Sequence, residues 1–198
     1  DRPLSRGLGD VYKRQLRSGV EVYHTLKKRL KDNGYGTNVG DEGGFAPNFS
    51  SSKEVLDEIM MSIAECGYKP REEISLALDA ASTEFFDDGA YTIEGNSLSS
   101  TEMADYLIGL SNSYPIVSIE DGLAEDDWEG WKYLTSKIGK EVQLVGDDLF
   151  VTQKEVLQRG INEKCANSIL VKLNQVGSVT ETIESMKLAT NNLSLIHI

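Results

Sequence analysis

The sequence has 198 residues, of which 39% are hydrophobic and 26% charged, with a formal net charge of −12 at pH 7. This composition is typical of a soluble globular protein, and the acidic balance argues against nucleic acid or an anionic membrane surface as a partner. No apolar run approaches the roughly 18 residues that a membrane span needs. Cys66 and Cys165 lie far apart in the sequence, which favours reduced thiols in a cytoplasmic protein.

The two ends of the chain differ in pattern from the rest. Residues 1–15 carry four basic and two acidic side chains, a net charge of +2, and show neither helical nor alternating periodicity. Residues 193–198 form an apolar hexapeptide that interrupts a helical pattern. We expect both segments to be non-native tails, with disordered native tails as the alternative. Residues 16–192 are then one domain or a piece of a larger one.

The first part of this domain is predicted to be helical. Apolar residues recur on one face of residues 16–31, and a second helix is predicted from Ser51 or Ser52, which can cap its start, through Cys66. A glycine-rich loop, residues 34–48, lies between the two helices and carries an acidic pair. Glycines let the backbone turn sharply and approach a ligand closely, whereas a plain surface turn is the alternative.

Strands and helices alternate in the remainder of the chain. A hairpin is predicted around residues 87–94. Strands are predicted at residues 74–79, 116–119, 142–145 and 168–171, and helices at residues 100–110, 128–138, 153–159 and 179–189. This alternation predicts an α/β fold with right-handed βαβ units and a parallel sheet. In such sheets, functional groups gather at the carboxyl ends of the strands.

A charged residue stands at or just beyond the end of each predicted strand. Asp79, Glu120, Asp147 and Lys172 are separated by 41, 27 and 25 residues, close to the roughly 30 residues of one βα unit once the hairpin is allowed for. Three carboxylates at the same level of neighbouring strands repel one another unless a cation lies among them, and oxygen ligands favour Mg²⁺. The alternative is three solvated acids at the starts of loops.

Lys172 and Glu42 are candidates for a base and an acid. We expect a partly desolvated lysine beside a dication to have a lowered pKa, which suits a base, and Glu42 on the glycine-rich loop to act as the acid. An acid, a base and a metal together suit proton abstraction next to a carboxylate. A salt bridge between Lys172 and a neighbouring acid is the structural alternative.

Five blocks of the sequence resemble the enolases. They are NVGDEGGFAPN (38–48), LALDAASTEFF (76–86), SIEDGLAEDDW (118–128), LVGDDLFVT (144–152) and LVKLNQVGSVT (170–180). The resemblance extends from about residue 16 to about residue 190. It implies that the chain is an internal fragment whose fold is an incomplete part of a TIM-like (β/α)8 barrel.

The resemblance also implies roles for single residues. Asp79, Glu120 and Asp147 would hold a Mg²⁺ ion that binds the substrate carboxylate, so that Glu120, Asp147 and Lys172 contact the substrate. Lys172 would remove the proton from C2 of 2-phosphoglycerate, and Glu42 would help to protonate the departing C3 hydroxyl. The product would be phosphoenolpyruvate, in glycolysis or, reversed, in gluconeogenesis. Asp121 and Asp148 would have supporting parts.

The resemblance further implies what the fragment lacks. Enolases carry a separate N-terminal domain and phosphate-binding residues that have no match here, so we expect this chain alone to be inactive. The parent protein would be a cytoplasmic homo-oligomer, a dimer or an octamer, and some family members are found at the cell surface or secreted. One alternative is another proton-abstracting enzyme of the enolase superfamily, which the lack of a Lys-x-Lys pair just before Asp79 disfavours. A non-catalytic scaffold or surface-binding role is the other.

Overall fold

The computed structural model describes residues 3–192 and 195–197 in two units, Asp1–Ile74 and Ser75–Ile198. Of the two tails that the sequence predicts, residues 1, 2, 193, 194 and 198 lie outside the described part. Among the described helices, none combines the length and the apolar character needed to cross a membrane.

The first unit contains two helices, α1 (Pro3–Asp32) and α2 (Ser52–Glu65). They pack through buried aliphatic side chains, and the Arg29 Nε donates to Glu58 Oε2 at 3.0 Å across the pair. Helix α1 begins thirteen residues before the predicted start. Residues 11–17 of α1 are all exposed, so packing does not select an apolar face there. That residues 1–15 are a non-native tail stays a prediction.

The second unit is built on a parallel sheet, which confirms the predicted α/β class. Its strands follow the order β1 (Leu76–Asp79), β5 (Ile116–Glu120), β6 (Gln143–Gly146), β7 (Ser168–Leu170) and β8 (Leu195–His197). Every neighbouring pair in this sheet is parallel. The five described strands form an open sheet and not a closed barrel. Strand β8 lies in a segment where the sequence predicts no strand.

Helices connect the strands of this sheet. They are α3 (Ser100–Ser113), α4 (Trp128–Ile138), α5 (Lys154–Glu163), the single turn α6 (Leu173–Val176) and α7 (Val179–Asn192). The core forms where apolar side chains of the strands meet those of the helices, and Ile119, Leu144 and Ile169 at the strand centres are fully buried. Helix α3 is capped by Ser99, with which Glu102 completes a capping box.

A three-stranded antiparallel sheet follows β1. It consists of β2 (Phe86–Asp87), β3 (Ala90–Ile93) and β4 (Asn96–Leu98), so the predicted hairpin is confirmed and extended by one strand. Asp88 and Gly89 both have positive φ angles, 46° and 78°, as a two-residue hairpin turn requires.

Tyr91 of β3 joins this hairpin to the start of α4. Its hydroxyl donates to Asp127 Oδ2 at 2.7 Å and accepts from the Ala124 N–H at 3.0 Å, while Asp127 Oδ1 accepts from the Gly130 N–H at 3.0 Å. The Tyr91 side chain is fully buried, and this burial together with the bond to Asp127 raises the pKa of Tyr91. The hydroxyl therefore stays protonated and holds two buried polar groups.

Replacing Tyr91 by phenylalanine should destabilise the protein. The Tyr91→Phe variant leaves a buried carboxylate oxygen and a backbone N–H without their partner, so we expect the free energy of unfolding to fall by about 1–3 kcal/mol. Denaturant unfolding measures this loss. Tyr133→Phe is the matched control, because the Tyr133 hydroxyl bonds Asp105 at the exposed surface, and its effect should stay within about 0.5 kcal/mol. Equal losses in both variants would contradict the assignment.

Candidate functional site

Four charged side chains lie at one edge of the parallel sheet. Asp79 and Glu120 are the last residues of β1 and β5, and they are register partners across the two strands. Asp147 directly follows β6, and Lys172 comes two residues after β7. Their placement at the carboxyl ends of four adjacent strands agrees with the sequence prediction.

Glu120 lies at the centre of this charged edge. Partial burial raises the pKa of Glu120 to about 7, and the negative charges of Asp79, Asp147 and Asp121 contribute to this rise, while Lys172 opposes it. The four neighbours are thus close enough to act on one carboxyl group. Such a concentration of negative charge favours binding of a cation.

Asp147 and Lys172 form an ion pair. The Lys172 Nζ donates to Asp147 Oδ2, with the Asp147 side chain buried and Lys172 about half exposed. This hydrogen bond, and the charges of Asp147, Asp148 and Glu120, raise the pKa of Lys172. The sequence argument predicted a lowered pKa, because it weighed desolvation and a nearby dication. In the structure, the bond to Asp147 outweighs desolvation, so the ammonium form is favoured.

Two further residues reach this ion pair. Gln175 Nε2 donates to Asp147 Oδ1 at 3.0 Å, and the Thr152 hydroxyl bonds both the Gln175 side chain and the Lys172 N–H, each at 2.9 Å. The sequence argument named neither residue as part of the site. Both lie in blocks that carry the enolase resemblance, which is the signal that could have pointed to them.

Asp121 supports the turn that presents Asp147. Its two carboxylate oxygens accept from the N–H groups of Asp147 and Asp148, both at 3.0 Å. Burial raises the pKa of Asp121 to about 6, although these two hydrogen bonds act in the opposite direction. The carboxylate is therefore already occupied by backbone, which fits the supporting part expected for it.

Three carboxylates in this region form a compact cluster. Within the part of the chain that the structure describes, Asp121, Asp147 and Asp148 are the acidic residues whose oxygens all lie within 4.8 Å of one another. The predicted ligand set shares only Asp147 with this cluster. Asp121 accepts from two backbone N–H groups and Asp147 accepts from the side chains of Lys172 and Gln175, whereas Asp148 is exposed. Single substitutions can therefore distinguish the predicted ligand set from the compact cluster.

Glu42 lies in the first unit, on the turn between Val39 and Phe45. These two residues form an antiparallel bridge, and Gly43, at a φ of 84°, closes the turn through a hydrogen bond to Gly40. The Phe45 ring stacks on Tyr23 of α1 with 4.4 Å between centroids, which holds the turn against the helix. Glu42 is exposed at this turn, and its acid role stays a prediction.

The chain is similar in sequence to known proteins of one family. The model of the family described as "Enolase, C-terminal TIM barrel domain" matches residues 8–195. The chain belongs to the enolase family. It is 54% identical over 185 residues to the enolase of a Nitratiruptor species. The match covers 92% of this chain but only 44% of that enolase, so the chain spans less than half of its relative.

Family membership explains why the sheet stays open. The matching region is the TIM barrel domain of enolases, and the five described strands make up one part of such a barrel. The resemblance that the five sequence blocks indicate is therefore confirmed, together with the incomplete barrel fold.

The buried Asp121 carboxyl should leave a signature in the pH dependence of stability. Because its pKa is raised from 3.8 to about 6, the folded chain binds a proton between these pH values that the unfolded chain has released. The free energy of unfolding should therefore fall as the pH rises from about 4 to about 6. Denaturant unfolding across this range should show a shallower fall in Asp121→Asn. The control is Asp148→Asn, at the exposed neighbouring residue. If the free energy of unfolding falls equally steeply with pH in both variants, the assignment of this pH dependence to Asp121 is wrong.

Proposed function

We propose that this chain provides part of the active site of a Mg²⁺-dependent enolase that dehydrates 2-phosphoglycerate to phosphoenolpyruvate. The observation that carries the proposal is the convergence of Asp79, Glu120, Asp147 and Lys172 at the ends of four adjacent strands in an enolase-family chain. In the reaction, the C2–H bond and the C3–O bond break, a C2–C3 double bond forms, and the hydroxyl leaves as water. The same chemistry runs in reverse in gluconeogenesis.

Asp79, Glu120 and Asp147 would hold the Mg²⁺ ion. Carboxylate oxygens are the hard ligands that Mg²⁺ prefers, and the mutual repulsion that contributes to the raised pKa of Glu120 is relieved by a dication. Asp147, which pairs with Lys172, would be one of these ligands, and the bound ion would supply positive charge for the substrate carboxylate, where negative charge develops.

Lys172 would accept the proton from C2 in its neutral form. Its amine lies beside Glu120 and Asp147, the residues expected to contact the substrate through the metal. The ion pair with Asp147 favours the ammonium form of Lys172. Lys172 would therefore act as a base only when another cation balances the charge of Asp147. Glu42 would donate a proton to the departing C3 hydroxyl, a role that the sequence resemblance supports.

The complete protein needs more than this chain. Since the match covers 44% of its relative, we propose that the 198 residues alone do not turn over substrate and that a full-length enolase acts on this small molecule as a cytoplasmic homo-oligomer. Both the oligomer and the compartment follow from the family resemblance.

Activity can be tested in a chimera. The matching segment of the Nitratiruptor enolase is replaced by this chain, and phosphoenolpyruvate formation is followed by ultraviolet absorbance. We expect turnover in the chimera and none in the isolated chain. Lys172→Ala and Glu42→Gln should each lower kcat by about 10²–10⁴-fold, the usual contribution of a general base or acid. Lys154→Ala, which removes an exposed lysine paired with Glu184, serves as the control and should have little effect.

The chimera also separates the alternatives. Exchange of the C2 proton with solvent, without release of phosphoenolpyruvate, would favour another proton-abstracting reaction of the superfamily. A folded chimera with neither exchange nor turnover would contradict the enzymatic proposal.

Metal binding can be measured on the 198-residue chain itself. Calorimetric titration with Mg²⁺ should show at least about tenfold weaker binding in Asp79→Asn, Glu120→Gln and Asp147→Asn, and little change in Asp148→Asn. Binding should also weaken as the pH falls below about 7, because protons then compete for Glu120. Stronger losses in Asp121→Asn and Asp148→Asn than in Asp79→Asn would assign the metal to the compact cluster instead.

A further inference from the structure

A chain of hydrogen bonds ties the ion pair to the turn that follows β6. The Thr152 hydroxyl accepts from the Lys172 N–H at 2.9 Å and bonds Gln175 Oε1 at 2.9 Å. Gln175 Nε2 then donates to Asp147 Oδ1 at 3.0 Å, and Asp147 Oδ2 accepts from Lys172 Nζ. The four residues close a ring, so a displacement of one changes the geometry of the others.

The direction of each bond in this ring is determined by chemistry. A carboxylate can only accept, so the Gln175 amide must present its NH₂ group to Asp147 and its oxygen to Thr152. Thr152 already accepts from a backbone N–H and has one proton to donate. The Thr152 hydroxyl lies 2.9 Å from Gln175 Oε1, nearer than its other possible acceptor, the Leu170 carbonyl at 3.5 Å. The ring therefore has one consistent arrangement.

The backbone at Thr152 is strained to make these contacts. Val151 and Thr152 have φ angles of 43° and 58°, in the left-handed region that β-branched residues rarely adopt. Thr152 is fully buried, and its carbonyl accepts from the Ser185 hydroxyl at 2.7 Å. Such strain persists only where surrounding contacts over-determine the conformation, and it clusters at functional sites.

Packing of Phe150 supports the same turn. The Phe150 ring is fully buried against Gly146, where an added Cβ would lie 2.7 Å from a ring carbon, and against Gly160 of α5. Neither contact involves the charged groups, so the turn is held by packing on one side and by the hydrogen-bonded ring on the other.

We propose that Thr152 and Gln175 are positioning residues that hold the Asp147 carboxylate and Lys172 in the geometry needed for metal binding and proton transfer. This inference rests on the proposed function. Gln175 fixes the rotation of the Asp147 carboxylate, and Thr152 fixes both Gln175 and the backbone from which Lys172 extends. Neighbours that orient a ligand in this way typically change metal affinity or activity by about 10–100-fold when removed.

Mg²⁺ affinity of the 198-residue chain, measured by calorimetry, tests the proposal. Thr152→Val keeps the shape of the side chain but removes the hydroxyl, and Gln175→Met keeps its length but removes the amide. We expect each to weaken Mg²⁺ binding by about tenfold or more, and Thr152→Ser, which retains the hydroxyl, to bind within about threefold of the unaltered chain. Gln158→Met makes the same replacement at an exposed helix position and should have no effect.

The double variant separates positioning from general destabilisation. If Thr152 acts through Gln175, Thr152→Val combined with Gln175→Met should bind Mg²⁺ about as weakly as either single variant, because residues in one network are not additive. Independent structural losses would multiply the two effects. Three outcomes would each overturn the proposal. The first is that the effects of the two substitutions multiply in the double variant. The others are a Gln175→Met affinity within about twofold of the unaltered chain, and equal losses of affinity in Thr152→Ser and Thr152→Val.

A measurement without metal keeps this proposal distinguishable from the proposed function. Amide hydrogen exchange at Lys172 in the metal-free chain should be faster in Thr152→Val but not in Thr152→Ser, since only the former loses the acceptor of that N–H. If the unaltered chain fails to bind Mg²⁺, the metal-binding function is contradicted, and amide exchange alone tests whether Thr152 holds the backbone of Lys172. Unchanged exchange at Lys172 in Thr152→Val would overturn the positioning role of Thr152.

Discussion

The parallel register of β1, β5, β6 and β7 is the constraint on which the site depends. Because parallel strands present their carboxyl ends at one edge, Asp79 and Glu120 become direct neighbours, and Asp147 and Lys172 follow on the next two strands. Acidic groups brought together in this way repel one another, and partial burial strengthens the repulsion. Burial, together with this crowding, raises the pKa of Glu120 to about 7.

The fold relieves the crowding in two different ways. Asp121 is satisfied by two backbone N–H groups, which cannot leave without unfolding the turn. Asp147 is satisfied by the side chains of Lys172 and Gln175, and its carboxylate can be shared between these side chains and a cation. The first carboxylate is therefore committed to the backbone of the turn, whereas the second can take part in a site. This difference favours Asp147 over Asp121 as a metal ligand, although both belong to the compact acidic cluster.

Sequence patterns were sufficient to predict where the strands end, but not which side chains pair at those ends. The apolar runs before Asp79, Glu120 and Asp147 predict buried strands, and the acids after them mark the edge. The four-residue helix that carries Gln175 is too short for any periodicity, so its contact with Asp147 leaves no pattern. Likewise, the ion pair that raises the pKa of Lys172 depends on side-chain rotamers, which a sequence argument on burial does not resolve.

The turn from Asp147 to Thr152 is where local preference and observed structure disagree most. Val151 and Thr152 favour extended backbone by their branched side chains, yet both adopt left-handed φ angles. A local preference is overridden here, and packing around Phe150 and the hydrogen bond that the Thr152 hydroxyl accepts from Lys172 compensate for it. This pattern is expected at functional sites. Since this turn begins at the carboxylate of Asp147 and ends at the hydroxyl that anchors Lys172, its strain is located between the two groups whose geometry matters most. An unstrained turn of the same length would displace the Thr152 hydroxyl, and the fixed spacing of Asp147 and Lys172 would be lost with it.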